Sequence, residues 1–173
     1  MGKRTTIIFD QKDRQYIEQL IRDGKEAGIK PFITKMLNIY RSMAIYDWKF
    51  PGEYYIGMSR AAFITQQHIQ LLIDIIPEAK QRAEAQKIGA ITALTIQAGL
   101  NLDPHKKENW PKVLERLKIL GYGDIILREE FIVLRNPFIN NLRFLTGFLE
   151  GVLSSKLDAK LTTSPLVFEI SKE

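Results

Sequence analysis

The N-terminal stretch KRTTIIFDQKDRQ (Lys3–Gln15) runs from basic residues through a strand-like segment directly into a helix start. Alternation over Arg4–Phe9 gives two faces, one made by Thr5, Ile7 and Phe9 and the other by Arg4, Thr6 and Ile8. The period of two and the threonine and isoleucine content are typical of a β-strand. A strand at the end of a chain has unpaired backbone edges, so the sequence predicts that this one pairs with another strand.

A helix–turn–helix pattern follows the predicted strand. Asp10 is the predicted N-cap of the first helix, and Asp13 adds favourable charge in its first turn. Gly24 and Gly28 are both predicted to weaken the end of that helix, with Gly28 as the candidate for the residue just past it, and Pro31 suits the first turn of the next helix. Each helix carries an apolar stripe, formed by Tyr16, Ile17, Leu20 and Ile21 in the first and by Phe32, Ile33, Met36, Leu37, Tyr40 and Met43 in the second.

One copy of this unit, about 45 residues, buries too little apolar surface to be stable alone. Two copies would solve both the unpaired strand edges and the small buried surface, because their strands can pair antiparallel across a two-fold axis while the helices pack beneath. The alternative is that RTTIIF forms an edge strand of the larger second domain. Charge favours the first interpretation, since residues 1–50 have a net charge of +4 and residues 51–173 one of only +1. A basic surface indicates a polyanionic partner, and a solvated surface without such a partner is the alternative.

The order strand, helix, turn, helix resembles the ribbon-helix-helix DNA-binding family. The resemblance covers about Lys3 to Met43 and is carried by the basic lead KRTTIIF, the cap Asp10, the turn AGIKPF and the segment FITKMLNIY. It implies a two-stranded ribbon in the major groove of double-stranded DNA. The residues that it places against DNA are Lys3, Arg4, Thr6, Ile8, Lys30 and Pro31.

In this resemblance each of those residues has a distinct role. Arg4 donates to guanine or phosphate, and Thr6 can donate, accept or touch a thymine methyl. Ile8 departs from the family, where a polar residue is more usual, and is limited to apolar contact. The start of the second helix faces a phosphate, with Lys30 carrying more of the contact because Pro31 lacks an N–H donor.

Residues 46–58 form a predicted connector with two glycines, one proline and five aromatic residues. Aromatic side chains favour packing, so we expect this connector to lie against the second domain rather than to act as a flexible linker.

Residues 59–173 show an α+β pattern. We expect a helix capped by Ser59 and running to about Ile76, an alanine-rich helix ending near Gly99, a short helix from about Trp110 and a further helix between two hairpins. Gly89 within the long helix predicts a close helix contact, and Gly147 and Gly151, four residues apart on one face, predict close backbone approach.

This second region resembles the 4-vinyl reductase-like (V4R) domain, which is related in fold to Bet3-type subunits of vesicle-tethering complexes. The resemblance covers about Met58 to Lys172, through KQRAEAQKIGAITAL, FIVLRNPFI, FLTGFLEGVLSSKL and LVFEIS. It implies a cavity for a small hydrophobic ligand, for which the candidate lining residues are Trp110, Tyr122, Phe131, Phe138, Phe144 and Phe148. Plain core packing is the alternative for each of these aromatics. Many members carry metal-linked cysteines near the last hairpin, and this chain has none.

Composition excludes several classes of site. Zero cysteines exclude disulfides, thiolate zinc sites and cysteine nucleophiles. No apolar run reaches the roughly 18 residues of a membrane span, and no secretory leader is recognised. The two histidines, His68 and His105, stand apart from other ligand residues. No phosphate loop, dinucleotide fingerprint or nucleophile–base set is present, so we expect no enzyme, cofactor, metal or membrane partner, and a cytoplasmic protein.

The sequence therefore predicts an α+β protein with a ribbon-helix-helix domain at residues 1–45, a connector at 46–58 and a V4R-like domain at 59–173. The expected function is that of a homodimeric or higher-order DNA-binding transcriptional regulator whose second domain binds a small hydrophobic ligand or mediates assembly. The alternative is a protein-interaction module in which the N-terminal unit only dimerises the chain.

Overall fold

The computed structural model describes residues 6–49, 51–56, 59–161, 163 and 165–171. The chain divides into two compact units, Met1–Tyr46 and Asp47–Glu173. Two of the predicted DNA-contacting residues, Lys3 and Arg4, lie outside the described residues.

The first unit contains helices α1 (Gln11–Arg22) and α2 (Ile29–Ser42). The predicted cap is confirmed, because the Asp10 carboxylate accepts a hydrogen bond from the Asp13 backbone N–H at 2.8 Å. Pro31 lies in the first turn of α2, also as predicted.

Of the two glycines predicted at the end of α1, Gly24 is confirmed and the choice of Gly28 as the residue just past the helix is wrong, because α1 stops at Arg22. Gly24 adopts a left-handed φ of 69°. That conformation lets the N–H groups of Gly24 and Lys25 bond to the carbonyls of Ile21 and Leu20, at 3.1 and 2.9 Å. These two hydrogen bonds satisfy the last carbonyls of the helix, and the left-handed conformation favours glycine at this position. Gly28 instead directly precedes α2.

The predicted N-terminal strand is not formed within the single chain. Thr6–Phe9 have no regular secondary structure and take part in neither sheet of the described residues. The prediction assigns the pairing strand to a second copy, and pairing between copies stays a prediction.

The second unit is α+β, with antiparallel hairpins and four α-helices. Its elements are β1 (Tyr54–Ile56), β2 (Ser59–Ala61), α3 (Gln66–Asp74), α4 (Glu78–Leu100), α5 (Trp110–Ile119), β3 (Asp124–Leu127), β4 (Phe131–Arg135), α6 (Leu142–Leu153), β5 (Leu157–Leu161) and β6 (Leu166–Ile170). The strands form a β1–β2 hairpin and a four-stranded antiparallel sheet of order β3-β4-β6-β5. The expected long helix, both later hairpins and the helix between them are confirmed.

The prediction that Ser59 caps a helix is wrong. Ser59 begins β2 and pairs with Ile56, so its backbone takes part in a strand ladder. Helix α3 starts only at Gln66, after Thr65.

Two aromatic residues of the predicted connector pack with Phe63, which follows the connector. Trp48, Tyr54 and Phe63 meet edge to face, with ring centroids 4.9–5.7 Å apart. The Trp48 indole N–H donates to the Tyr55 carbonyl at 2.8 Å. The described connector residues after Tyr46 therefore belong to the second unit, whereas Tyr46 itself belongs to the first.

The hydrophobic core of the second unit lies between its large sheet and helices α4, α5 and α6. Inward-facing residues alternate along the central strands, with Ile132 and Leu134 on β4 and Phe168 and Ile170 on β6. Almost every residue of α6 is buried, so this helix is the centre of the unit.

Helices α4 and α6 touch through their backbones at three glycines, as the sequence predicted. A Cβ at Gly89 would collide with the carbonyl oxygen of Phe148 on α6. A Cβ at Gly147 or Gly151 would collide with the carbonyl oxygens of Arg82 or Gln86 on α4. Because the obstacles are backbone atoms, no side-chain rotation can relieve the collision.

Gly147→Ala is expected to lower the free energy of unfolding by about 3 kcal/mol, since the added methyl must push two helices apart. The matched control is Gly99→Ala in the same pair of helices, where a Cβ meets nothing within 4 Å. That change should raise the free energy of unfolding by about 0.5–1 kcal/mol, because alanine favours helix over glycine. Urea unfolding measures both, and equal effects of the two substitutions would contradict the crossing geometry.

Candidate functional site

The described residues of the predicted DNA-contacting face are exposed. Ile8 is 91% exposed and Ile7 is 54% exposed, while Phe9 is half-buried. Thr6 is exposed as well, so Thr6, Ile7 and Ile8 are three consecutive exposed residues, and the two faces predicted for a strand stay a prediction. Lys3 and Arg4, which precede them, lie outside the described residues.

The N-terminus of α2 carries the other two predicted contacts. Lys30 and Pro31 are adjacent and exposed, and the first turn of α2 contains no acidic residue. The first N–H groups of a helix lack intrahelical partners and carry partial positive charge, so this end is suited to an anion.

The described part of the first unit has almost no core of its own. Ile17 is its only buried residue among residues 6–46. Large apolar side chains on α2 are exposed by 39–53%, namely Ile29, Met36, Leu37, Ile39 and Tyr40. The apolar stripe predicted for α2 is therefore present and lies at the surface of the single chain.

The aromatics predicted to line a ligand cavity lie mostly inside the core of the second unit. Trp110, Phe144 and Phe148 are buried, and Tyr122 and Phe138 pack against the same core. Phe131 is half-buried on β4. The rings of Tyr122 and Phe148 stack at 4.6 Å between centroids.

The hydroxyl of Tyr122 faces α4. Burial raises the pKa of Tyr122 above its ordinary value, and a hydrogen bond with the Thr92 side chain acts in the opposite direction. At neutral pH this phenol is therefore protonated and available as a hydrogen-bonding group at the edge of the core.

Trp110 contains a buried hydrogen-bond donor without an acceptor. The residue is 3% exposed, and its indole Nε1 has no hydrogen-bond partner among the described residues. Leaving a buried donor unpaired costs about 1–3 kcal/mol. The sequence identified Trp110 as an aromatic candidate, but the missing acceptor is visible only once the chain is folded.

Three surface clefts lie in the second unit, and none of the three is lined by the six aromatics. The most polar has a volume of about 560 Å³ and is lined in part by His105, Glu150 and Lys156. Whether the six aromatics line a ligand cavity stays a prediction.

An ion pair between exposed Arg82 and buried Glu150 joins α4 to α6 beside that cleft. Glu150 is 5% exposed and accepts from Arg82 Nε at 2.9 Å and from Arg82 Nη2 at 2.6 Å. The Leu157 backbone N–H also donates to Glu150, at 3.0 Å. Burial acts to raise the pKa of Glu150, but the Arg82 guanidinium and the Leu157 N–H outweigh it and hold that pKa below its ordinary value. Sequence reasoning missed this pair, whose members lie 68 positions apart.

Glu150→Gln is expected to lower the free energy of unfolding near neutral pH by about 1–3 kcal/mol, because an amide cannot accept charge-assisted hydrogen bonds from Arg82. The folded-state pKa lies below the ordinary value of 4.5, so the carboxylate stabilises the fold above that value. This contribution is lost as the pH falls through the folded pKa. The difference between native and variant chains, measured by urea unfolding, should therefore shrink in acid.

The matched control is Glu84→Gln, which removes a carboxylate from an exposed pair with Lys87 at 2.9 Å. Its effect should stay within about 0.5 kcal/mol at every pH. A Glu150→Gln effect that did not change between neutral and acid pH would contradict the assigned ionisation.

Two kinds of site are absent from the part of the chain that the structure describes. No group of three or more His, Asp or Glu residues there could hold a metal ion. No helix among the same residues has the length and apolar character needed to cross a membrane.

Comparisons with known proteins do not assign the chain to a family. No family model matches the chain, no curated protein matches it, and no solved structure matches it.

Proposed function

We propose that this protein is a dimeric DNA-binding transcriptional regulator. In this proposal residues 1–45 form a ribbon-helix-helix domain, and residues 59–173 form a V4R-like domain that binds a small hydrophobic ligand or mediates assembly. The observation that carries the proposal is the small core of the first unit: among its described residues only Ile17 is buried, while large apolar side chains of α2 are exposed.

A second copy supplies what the first unit lacks. Burying apolar surface stabilises by about 25 cal/mol per Å², so the exposed α2 side chains are a strong driving force for association. Antiparallel pairing with the same segment of the second copy would satisfy the unpaired backbone groups of Arg4–Phe9. Pairing and helix packing then form one dimeric core.

The paired strands would present Arg4, Thr6 and Ile8 to the major groove, and α2 would present Lys30 to a phosphate. The face made by Thr5, Ile7 and Phe9 would enter the dimer core, and half-buried Phe9 supports this choice. Phosphate contacts supply most of the affinity, whereas Arg4 and Thr6 supply base readout. A ligand or assembly event in the second domain would change DNA affinity through the geometry of the dimer.

Arg4→Ala is expected to weaken specific DNA binding by about 1–3 kcal/mol, because a bidentate contact with guanine is lost. The DNA is first selected from a random duplex pool, and fluorescence anisotropy then gives the affinity at several salt concentrations. Binding by the native chain should fall steeply with salt.

The control for that experiment is Lys112→Ala, which removes the same charge from an exposed position on α5 of the second unit. It should leave DNA affinity unchanged. If Arg4→Ala also left the affinity unchanged, the strand would not be the DNA-reading element. If the native chain retained no DNA at all, the interaction-module alternative would replace the regulator.

The ligand-binding part of the proposal is supported by Trp110. A buried indole N–H without an acceptor would gain a hydrogen bond from a ligand that is apolar and carries one acceptor oxygen. Five of the six aromatic candidates surround or border the same core, so such a ligand would have apolar walls.

Titration with small aromatic ketones is expected to change the fluorescence of Trp110. The chain has two tryptophans, and Trp48→Phe removes the other one, so the remaining emission comes from Trp110 alone. A saturable fluorescence change in the Trp48→Phe variant would support the site. Calorimetry should then show that the Trp48→Phe/Trp110→Phe double variant has lost the binding. A change that grows linearly without saturation would argue against a binding cavity.

A further inference from the structure

Two groups that favour a negatively charged acceptor meet at the indole ring of Trp110. The first is the buried indole N–H, which has no acceptor among the described residues. The second is the ammonium of Lys107, whose Nζ lies over the same ring at 5.9 Å from its centroid. None of the ion pairs among the described residues includes Lys107, so no carboxylate of that part of the chain neutralises its charge.

The start of α5 adds positive potential at the same place. Helix α5 begins at Trp110, its N-cap Asn109 makes no side-chain cap hydrogen bond, and its first turn contains no acidic residue. The free N–H groups at the start of a helix carry partial positive charge. Residues 103–112 also contain three lysines against one aspartate and one glutamate. These surroundings stabilise a negative charge.

The two groups lie at different depths in the second unit. Lys107 is exposed, whereas Trp110 is 3% exposed and belongs to the hydrophobic core together with Val113 and Leu114 of α5. A molecule that contacts both would have its charged end toward solvent and the rest of its surface toward the core. Apolar surroundings favour an apolar body there, because an ion without one would lose its hydration without gaining any apolar contact.

We propose that the ligand of the second domain is an apolar molecule with one carboxylate, which accepts from the Trp110 indole N–H and pairs with Lys107. This inference rests on the ligand-binding part of the proposed function and deepens it by giving the acceptor oxygen a negative charge. A carboxylate has two acceptor oxygens and can contact both groups at once. Hydrogen bonds to an ionised acceptor are about twice as strong as neutral ones, and a neutral acceptor would leave the charge of Lys107 without a partner.

Benzoate and acetophenone are the matched probes, because they share a ring and a carbonyl and differ by an anionic oxygen against a methyl group. Calorimetry with the full-length chain should show benzoate binding about 5- to 10-fold tighter than acetophenone. The difference should shrink as salt is added, since Lys107 is exposed. Acetate has the carboxylate without the ring and should bind more weakly than benzoate.

Lys107→Met removes the charge at an exposed position and should bring the two affinities to within about twofold of each other. Lys107→Arg keeps the charge and should keep the preference for benzoate. The matched control is Lys106→Met, which removes the same charge from the adjacent exposed residue and should also keep the preference. Circular dichroism checks that each variant has the native fold.

The outcomes separate this inference from the proposed function. If acetophenone binds at least as tightly as benzoate, or if Lys107→Met retains the preference, the inference fails while ligand binding by the second domain stands. Acetate binding as tightly as benzoate would reveal an adventitious ion only and would also overturn the inference. If neither aromatic probe binds, the inference fails together with the ligand-binding part of the proposed function. If benzoate binds with the expected preference but the native chain binds no DNA, the regulator proposal fails alone.

Discussion

The second unit depends on the backbone contact between α4 and α6. Gly89, Gly147 and Gly151 remove the side chains that would keep two helices at their usual distance, and each faces backbone atoms of the other helix. Close approach increases dispersion contacts along the crossing, and it fixes the position of α6, around which the core is built. Because no rotamer change can accommodate a methyl there, the crossing admits only glycine at these positions.

The ion pair between Arg82 and Glu150 belongs to the same crossing. Arg82 also supplies the backbone oxygen that faces Gly147, so one residue contributes both to the backbone contact and to the charge pair. Glu150 in turn accepts from the N–H of Leu157, at the start of β5. The pair thus connects α4, α6 and the edge of the sheet, and a buried carboxylate with three donors is stabilised in its ionised form.

Both units of the chain have exposed apolar helix side chains among the described residues. On α2 they accompany a unit in which only Ile17 of the described residues is buried, and on α4 Ile91 and Leu94 lie opposite the glycine crossing. Exposed apolar side chains at helical spacing are characteristic of surfaces that associate.

The sequence by itself determined the elements with strong local signals: the Asp10 cap, the long alanine-rich helix, the later hairpins and the close approach at the three glycines. These depend on propensity, spacing and the missing Cβ, which are local properties. It misplaced the end of α1 and the start of α3. The turn at Gly24 sets the first boundary and the β1–β2 ladder shifts the second, because local hydrogen bonds there compete with those of the helix. Only the tertiary structure decided three features: the Arg82–Glu150 pair, the unpaired indole N–H of Trp110 and the exposed apolar side chains of α4. Burial, and contacts between residues 60 or more positions apart, follow from how the elements pack.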